Sequence, residues 1–156
     1  MTETRFRKFR IGDIFEQERG KESAPNKVLD GNIPMINEIS SNNGVAKLGM
    51  SNHIFKGNAI TVSVNYAKNV FYQPNDFCAS VNILILRNKK MNEKSGLYIA
   101  SLLSKNNEKY SYTNKISRDK LNNTEILLPI KMTPTVDFSQ LQSLAERLRG
   151  GGGLIC

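Results

Sequence analysis

Residues 59–66, AITVSVNY, contain a strict alternation between apolar and polar side chains from Ile60 to Asn65. Apolar residues stand at the even positions from Ile60 to Val64, and polar residues stand at the odd positions from Thr61 to Asn65. Side chains on a β-strand point to alternate faces, so this period of two predicts a strand with one buried face. The strand ends in a polar, basic segment, NYAKN, which is either a contact surface or an ordinary turn.

A second strand is predicted in FCASVNILILR, residues 77–87. Its apolar content is nearly continuous from Val81 to Leu86. A run without alternation is typical of a strand that is covered on both faces. We therefore expect this strand to be central in its sheet.

The other segments are short and bounded by turn residues. An opening strand, a turn at Gly12-Asp13 and a short helical turn that runs to Glu18 are predicted. Brief strands are predicted at Ile33–Ile36, at Val45–Leu48 and within TEILLPI, residues 124–130. A helix is predicted after Ser95, which can cap it, and another after Thr135 or Asp137. This pattern predicts an α+β fold: a β-rich single domain with a twisted sheet, a few short helices and a C-terminal helix.

Three regions are predicted along the chain. Residues 1–134 form the main domain, residues 135–149 form the C-terminal helix, and residues 150–156 form a flexible tail because they begin with four glycines. Leu141, Leu144 and Leu148 share one apolar stripe of the helix. The stripe could be a seam for a homodimer, or it could pack on its own domain.

The charge of the chain favours a polyanionic partner. Lys and Arg total 22 against 14 Asp and Glu, which gives a formal charge of +8 and a pI near 9.6. Nucleic acid is the commonest cellular polyanion, although a lysine-biased soluble surface has the same composition. No apolar run approaches a membrane span, and the N-terminus does not read as a signal peptide. We expect a cytoplasmic protein without a disulfide framework.

Catalytic motifs are absent from the sequence. It has no glycine-rich phosphate loop, no C-x-x-C and no H-E-x-x-H. The single histidine, His53, reads as a surface residue, and Cys78 reads as a small buried side chain. The sequence therefore predicts no catalytic residues, no metal site and no cofactor in this chain.

Two predicted loops, residues 65–69 and residues 105–120, combine amides, cations and aromatic rings, which is the chemistry that contacts nucleic acid. Asparagine can bond the edge of adenine, arginine or lysine can bond guanine, and lysines neutralise phosphates. Asparagine is also a common turn residue, so a solvated loop is the alternative. The candidate DNA-binding residues are Asn65, Tyr66, Lys68, Asn69, Lys109, Tyr112, Asn114, Lys115, Arg118 and Lys120.

An ordered series of segments resembles the target recognition domain of restriction-modification specificity subunits, in type I systems and in related type II enzymes. The series runs through FRIGDIFEQERGK (9–21), GNIPMI (31–36), NNGV (42–45), residues 58–86, YIASLL (98–103), KYSYTNKISRDKLNNTEILLPI (109–130) and VDF (136–138). It spans roughly residues 6–138, and its densest part is residues 58–86.

The resemblance implies a non-catalytic module that reads one half of a double-stranded DNA target. It implies that a separate methyltransferase subunit, which uses S-adenosylmethionine, does the chemistry, together with a restriction or translocase subunit. Asn65, Asn114 and Arg118 would read bases, and the lysines would hold phosphates. The chain departs from relatives at Tyr66, where glycine is frequent, at Thr113–Asn114, where Gly-Arg is frequent, and in having one recognition domain.

Two other functions are compatible with the same sequence. One is a protein-interaction module that binds a methyltransferase subunit, as an assembly partner or decoy, without reading DNA. The other is a nonspecific binder of RNA or single strands, which would stack bases on Tyr110 or Tyr112.

Overall fold

The computed structural model describes residues 4–130 and 136–150. The strands are β1 (Phe6–Arg10), β2 (Glu16–Arg19), β3 (Asp30–Ile36), β4 (Val45–Gly49), β5 (Ala59–Ser63), β6 (Val70–Gln73), β7 (Cys78–Ala79), β8 (Ile83–Arg87) and β9 (Glu125–Pro129). The helices are α1 (Ile11–Ile14), α2 (Glu93–Asn106), α3 (Arg118–Asn122) and α4 (Phe138–Gly150). The α+β, β-rich fold with a C-terminal helix is confirmed.

The strands are distributed over three sheets. A four-stranded antiparallel sheet has the order β2-β8-β5-β6, a three-stranded sheet has the order β4-β3-β7, and β1 pairs with β9. Strands β3 and β7 pair in parallel. Helix α2 packs on β5 and β6 of the four-stranded sheet, and we call this sheet with α2 the frame of the molecule.

The prediction that β8 is central and covered on both faces is confirmed. It lies between β2 and β5, and its residues from Ile83 to Leu86 are almost completely buried. Alternate side chains of β8 enter two different hydrophobic clusters: Leu84 and Leu86 join the larger cluster, which includes α2, and Ile83 and Ile85 join a smaller one around Phe77. A strand between two apolar layers needs no polar positions.

The segment predicted as one strand over residues 77–87 is two strands. The amide of Ile83 donates to the carbonyl of Ser80 at 3.0 Å, which closes a turn between them. The first part, β7, pairs with β3, and the second part is β8. Hydrophobicity alone does not reveal this change of sheet, because both parts are buried.

The beginning of the chain also differs from its prediction. The helical turn ends at Ile14, and Glu16–Arg19 is a strand on the edge of the four-stranded sheet rather than a continuation of the turn. Polar side chains are typical of edge strands, so this segment carries little hydrophobic signal. The sequence analysis also did not predict the short strands β6 and β7 or the helix α3 as separate elements.

The N-cap of helix α2 lies three residues before the predicted cap, Ser95. Asn92 is the N-cap, and Ser95 occupies the third helical position. The side chain of Asn92 accepts a hydrogen bond from the amide of Ser95 at 3.0 Å, and the hydroxyl of Ser95 accepts one from the amide of Asn92 at 3.0 Å. Ser95 is therefore the second member of a reciprocal capping box, in which it replaces the usual Glu or Gln.

Replacing Asn92 by alanine should lower the free energy of unfolding by about 1 kcal/mol, which is the usual effect of removing an N-cap. The change also removes the hydrogen bond from Asn92 Nδ2 to Gln142 Oε1 on α4, which is 2.7 Å long. Urea unfolding measures the effect, with Ser101→Ala on the exposed side of α2 as the control. A variant as stable as the wild type would show that the helix does not depend on this cap.

Helix α4 lies against α2. Of the two predicted caps, Asp137 accepts a hydrogen bond from the amide of Gln140 at 3.1 Å, and Thr135 lies outside the described residues. Leu141 is fully buried in the domain's own core, so it cannot also serve as a seam. Leu144 and Leu148 are half-buried, and for them the seam stays a prediction. The predicted boundary at 134/135 and residues 151–156 of the predicted tail also lie outside the described residues. The predicted start of the tail at Gly150 is wrong, because α4 runs to that residue.

Candidate nucleic-acid interface

The first loop is the tip of the hairpin formed by β5 and β6. The amide of Asn69 donates to the carbonyl of Tyr66 at 2.8 Å, and the amide of Ser63 donates to the carbonyl of Asn69 at 3.2 Å. Two side chains at the C-terminal end of α2 bond the loop, one from its last turn and one from the residue that follows it. Asn107 Nδ2 donates to the carbonyl of Ala67 at 2.8 Å, and Ser104 Oγ donates to the carbonyl of Lys68 at 2.7 Å. The loop is therefore a fixed extension of the frame.

Asn107 is the main anchor of this loop. It is fully buried, and its amide nitrogen reaches the carbonyl of Ala67, which is itself buried. If the Asn107 side chain were removed, the buried carbonyl of Ala67 would lose this hydrogen bond, which is unfavourable in the interior. The sequence did not single out Asn107 for this role, because 40 residues separate it from Ala67.

A carboxylate lies beneath the same loop. Glu38 accepts hydrogen bonds from the backbone amide of Asn65 at 2.9 Å and from its side-chain nitrogen at 2.8 Å. Ser63 Oγ donates to it at 3.1 Å, and Asn82 Nδ2 donates at 3.4 Å. Glu38 was not among the sequence candidates, because nothing near it in the chain indicates a partner 27 residues away.

The second loop, residues 107–117, is anchored by turns and by one apolar side chain. The backbone groups of Ser111 and Asn114 bond each other in both directions at 3.0 Å. Ile116 is buried in the main core. Ser117 then caps α3 by accepting a hydrogen bond from the amide of Lys120 at 3.1 Å. These contacts fix the middle and the C-terminal end of the loop.

The two loops meet through a pair of tyrosines. The ring centroids of Tyr66 and Tyr112 are 6.1 Å apart, with 39° between the ring planes. Both rings are still about half exposed, at 51% and 59%. Lys115 Nζ lies 4.5 Å from the centroid of Tyr112, which is within the range of a cation–π contact. A cavity of about 600 Å³ opens between the loops, with Glu38 and Asn65 in its wall.

The cations of this surface are held without carboxylate partners. Lys109 and Lys120 lie 5.4 and 5.8 Å from the ring of Tyr110. Arg118 Nη2 donates to the backbone carbonyl of Gln17 at 2.9 Å. Among the described residues, no carboxylate oxygen lies within 4 Å of the basic groups of these three side chains, Lys68 or Lys115. The surface therefore keeps its positive charge.

The structure assigns different environments to the candidate residues. Tyr66, Lys68, Tyr112 and Lys115 project from the two loops and are exposed. Asn65 is half-buried, and Glu38 engages its side-chain nitrogen.

The remaining candidates have their own partners. Asn114 Oδ1 accepts from Lys120 Nζ at 3.4 Å, and Asn114 Nδ2 donates to the carbonyl of Lys109 at 3.4 Å. Asn69 is half-buried, and its backbone groups close the first loop. Whether any of the ten residues contacts DNA stays a prediction.

Cys78 and His53 lie near Glu22, outside the candidate interface. Ser51 Oγ donates to Glu22, and His53 Nδ1 lies 3.6 Å from the same carboxylate. Cys78 is fully buried, and burial raises the pKa of its thiol above the ordinary value. Among the described residues, no group of three or more His, Cys, Asp or Glu is placed to hold a metal ion.

Because the thiolate is the reactive form, Cys78 should resist thiol reagents in the folded protein. In the Cys156→Ser variant, which leaves Cys78 as the single thiol, reaction with Ellman's reagent at pH 8 should be at least on the order of 100-fold slower than in denaturing urea. Equal rates in the two solutions would show that the strand β7 opens freely.

The raised pKa of Cys78 adds stability that is lost as the pH rises above about 8.5, since the unfolded chain then releases the thiol proton first.

Comparison with known proteins bears on the fold. Residues 3–149 match the family described as the type I restriction modification DNA specificity domain. The chain is 30% identical over 146 residues to specificity subunit S.BcgI of a type II restriction enzyme from Heyndrickxia coagulans. That alignment covers 90% of this chain and 42% of the relative.

Solved structures share the fold. The S subunit of a type I restriction-modification system from M. genitalium superposes with a TM-score of 0.63 at 18% identity, over 92% of this chain and 37% of that one. The HsdS subunit from Thermoanaerobacter tengcongensis gives a TM-score of 0.65 at 15% identity, over 94% and 38%. The chain thus spans about two fifths of the length of these proteins. In the described part of the chain, no helix is long and apolar enough to cross a membrane.

Proposed function

Because the chain belongs to the type I restriction modification DNA specificity domain family, we propose that it is a non-catalytic module that recognises one half of a double-stranded DNA target. The observation that carries this proposal is the meeting of the two polar, basic loops through Tyr66 and Tyr112. Two segments that are 46 residues apart in sequence form one cationic, amide-bearing surface on a rigid frame.

The surface has the parts that DNA recognition requires. Exposed lysines without carboxylate partners can neutralise phosphates and position the duplex. Asn65 and Asn114 carry amides that can bond base edges in the major groove, and Arg118 keeps nitrogen donors beyond the one that bonds Gln17. The lysines contribute affinity without sequence preference, and the amides and the arginine contribute the preference.

Other chains would carry out the chemistry. We propose that a methyltransferase subunit binds S-adenosylmethionine and modifies the DNA that this chain recognises, and that a restriction or translocase subunit joins the same complex. A second recognition domain would read the other half of the target. It would come from a homodimer, with Leu144 and Leu148 in the seam, or from a separate polypeptide.

The direct test is selection from a random duplex pool at moderate salt, followed by sequencing. Enrichment of a short, defined sequence is expected, with an affinity that falls steeply as salt rises. Absence of enrichment, together with negligible binding at low salt, would overturn the proposal. Single-stranded DNA and RNA of the same length serve as competitors, and efficient competition by either would favour a nonspecific single-strand binder.

An assembly module is the second candidate, and a different surface favours it. The backbone amide of Met50 donates to the carbonyl of Leu29 at 2.8 Å, so the two residues are neighbours just outside the paired ends of β3 and β4. Leu29 is 73% exposed and Met50 is 64% exposed, and an exposed apolar patch is typical of a protein contact. This function predicts co-purification with a methyltransferase subunit, no DNA footprint, and no effect of reversing the charge at Lys115 and Arg118.

A further inference from the structure

Glu38 accepts hydrogen bonds from both the backbone amide and the side-chain amide of Asn65. Its Oε1 accepts from the backbone amide of Asn65 at 2.9 Å and from Ser63 Oγ at 3.1 Å. Its Oε2 accepts from the side-chain nitrogen of Asn65 at 2.8 Å and from Asn82 Nδ2 at 3.4 Å. Each carboxylate oxygen therefore faces two donors, and the lone pairs of Glu38 are filled by the protein itself.

These contacts fix which end of the Asn65 amide faces outward. A carboxylate accepts hydrogen bonds and cannot donate them, so the nitrogen of Asn65 must face Glu38. The carbonyl oxygen on the same planar group must then point elsewhere. No donor among the described residues bonds Asn65 Oδ1, and the side chain lines the cavity between the two loops.

We propose that Glu38 is a positioning residue that sets the base preference of Asn65. Held in this orientation, Asn65 Oδ1 accepts a hydrogen bond from an exocyclic amino group, which is N6 of adenine or N4 of cytosine. The opposite orientation would present a donor at the same place, where the base must carry an exocyclic oxygen, which is O6 of guanine or O4 of thymine. This inference rests on the proposed function, since it assigns a base class to one residue of the DNA-binding surface.

The geometry makes a specific prediction for Glu38→Gln, a change that conserves shape. The backbone amide of Asn65 cannot turn, so the amide oxygen of the introduced glutamine must take the place of Oε1. Its nitrogen then takes the place of Oε2 and faces the nitrogen of Asn65. Two donors cannot bond each other, so the side-chain amide of Asn65 rotates by 180° and presents its nitrogen to the cavity.

The experiment is duplex selection with the full chain in four forms. These are the wild type, Glu38→Gln, the double variant Glu38→Gln with Asn65→Asp, and Glu125→Gln. The last is a control for the change of charge, since Glu125 is an exposed residue of β9. The wild type and the control should enrich the same motif. In Glu38→Gln, one position should change from adenine or cytosine to guanine or thymine, with roughly tenfold or greater discrimination, and the other positions should stay the same.

The double variant should restore the original base. The introduced aspartate presents only oxygens, and one of them accepts from the introduced glutamine while the other faces the cavity. The net charge of the pair then equals that of the wild type. A restored preference supports the inference, and a double variant that keeps the single variant's preference or loses all preference at that position overturns it.

A measurement on the wild type does not depend on the folding of any Glu38 variant. Purine in place of each adenine of the motif, or 2-pyrimidinone in place of each cytosine, removes one exocyclic amino group at a time. One such change should weaken wild-type binding about tenfold or more and have no further effect in Asn65→Ala. Losses of equal size in the two proteins at every position would contradict the role of Asn65.

These experiments distinguish failure of the proposed function from failure of this inference alone. A wild-type pool with no enriched sequence would overturn the proposed function, and this inference with it. A defined wild-type motif that Glu38→Gln leaves unchanged, in a folded protein, would overturn the inference alone. Thermal unfolding of each variant shows whether it is folded at the temperature of the selection.

Discussion

The double variant Lys68→Glu with Lys115→Glu should bind duplex DNA at least about 100-fold more weakly than the wild type near 0.1 M salt. Each lysine projects from a different loop, and neither is paired with a carboxylate among the described residues. Reversal removes two favourable phosphate contacts and adds two repulsions. The slope of log affinity against log salt should fall by about 0.9 for each contact that is lost.

The matched control is Lys89→Glu with Lys90→Glu, which changes the net charge by the same amount. These two exposed lysines lie just before the start of α2, whereas the first loop is held by side chains at the end of α2. A helix of 14 residues is about 20 Å long, so the control lies well away from the proposed interface. Equal losses in the two double variants would show that net charge, and not this surface, controls binding.

Gly96→Ala should destabilise the fold by about 3 kcal/mol, although alanine favours a helix by about 1 kcal/mol over glycine. A β-carbon at position 96 would lie 2.3 Å from Cδ1 of Tyr72. The ring of Tyr72 is buried, and its hydroxyl donates to Asn58 Oδ1 at 2.8 Å, so it cannot simply turn away. Gly96 is needed because α2 lies close against β6. Urea unfolding measures the loss.

The same substitution in a Tyr72→Leu background provides the control. The flexible leucine side chain removes the ring that the new β-carbon would meet, so alanine at position 96 should cost much less there. The difference between the two backgrounds isolates the contact between Gly96 and Tyr72. If Gly96→Ala is neutral in the wild-type background, the close approach of α2 to the sheet is not a constraint on the fold.

The frame of the molecule could be predicted from local patterns. The alternation in residues 59–66 and the apolar run from Val81 to Leu86 indicate two strands, and the structure has β5 and β8 there. The burial predicted for β8 is confirmed, but the prediction of one buried face for β5 is wrong, because Thr61 and Ser63 are as buried as its apolar residues. Both signals arise within a few residues of chain, which is the range over which periodicity reports structure. The division of the strands into three sheets depends on pairings between distant segments, so no local pattern contains it.

The candidate site was only partly predictable for the same reason. Composition singled out both loops because cations, amides and aromatic rings are concentrated there. It could not show that Tyr66 lies beside Tyr112, that Asn107 anchors the first loop, or that Glu38 orients Asn65. These contacts join residues between 27 and 46 positions apart, and the polar residues among them have no distinctive neighbours in sequence.

Hydrogen–deuterium exchange of the chain, with and without a duplex that carries the selected sequence, tests most directly whether the two loops form one DNA-binding surface. Slower exchange is expected in residues 64–69 and in residues 109–120 together, with little change around Leu29 and Met50. Protection confined to one loop, or protection centred on Leu29 and Met50 while both loops exchange as in the free protein, would contradict the account.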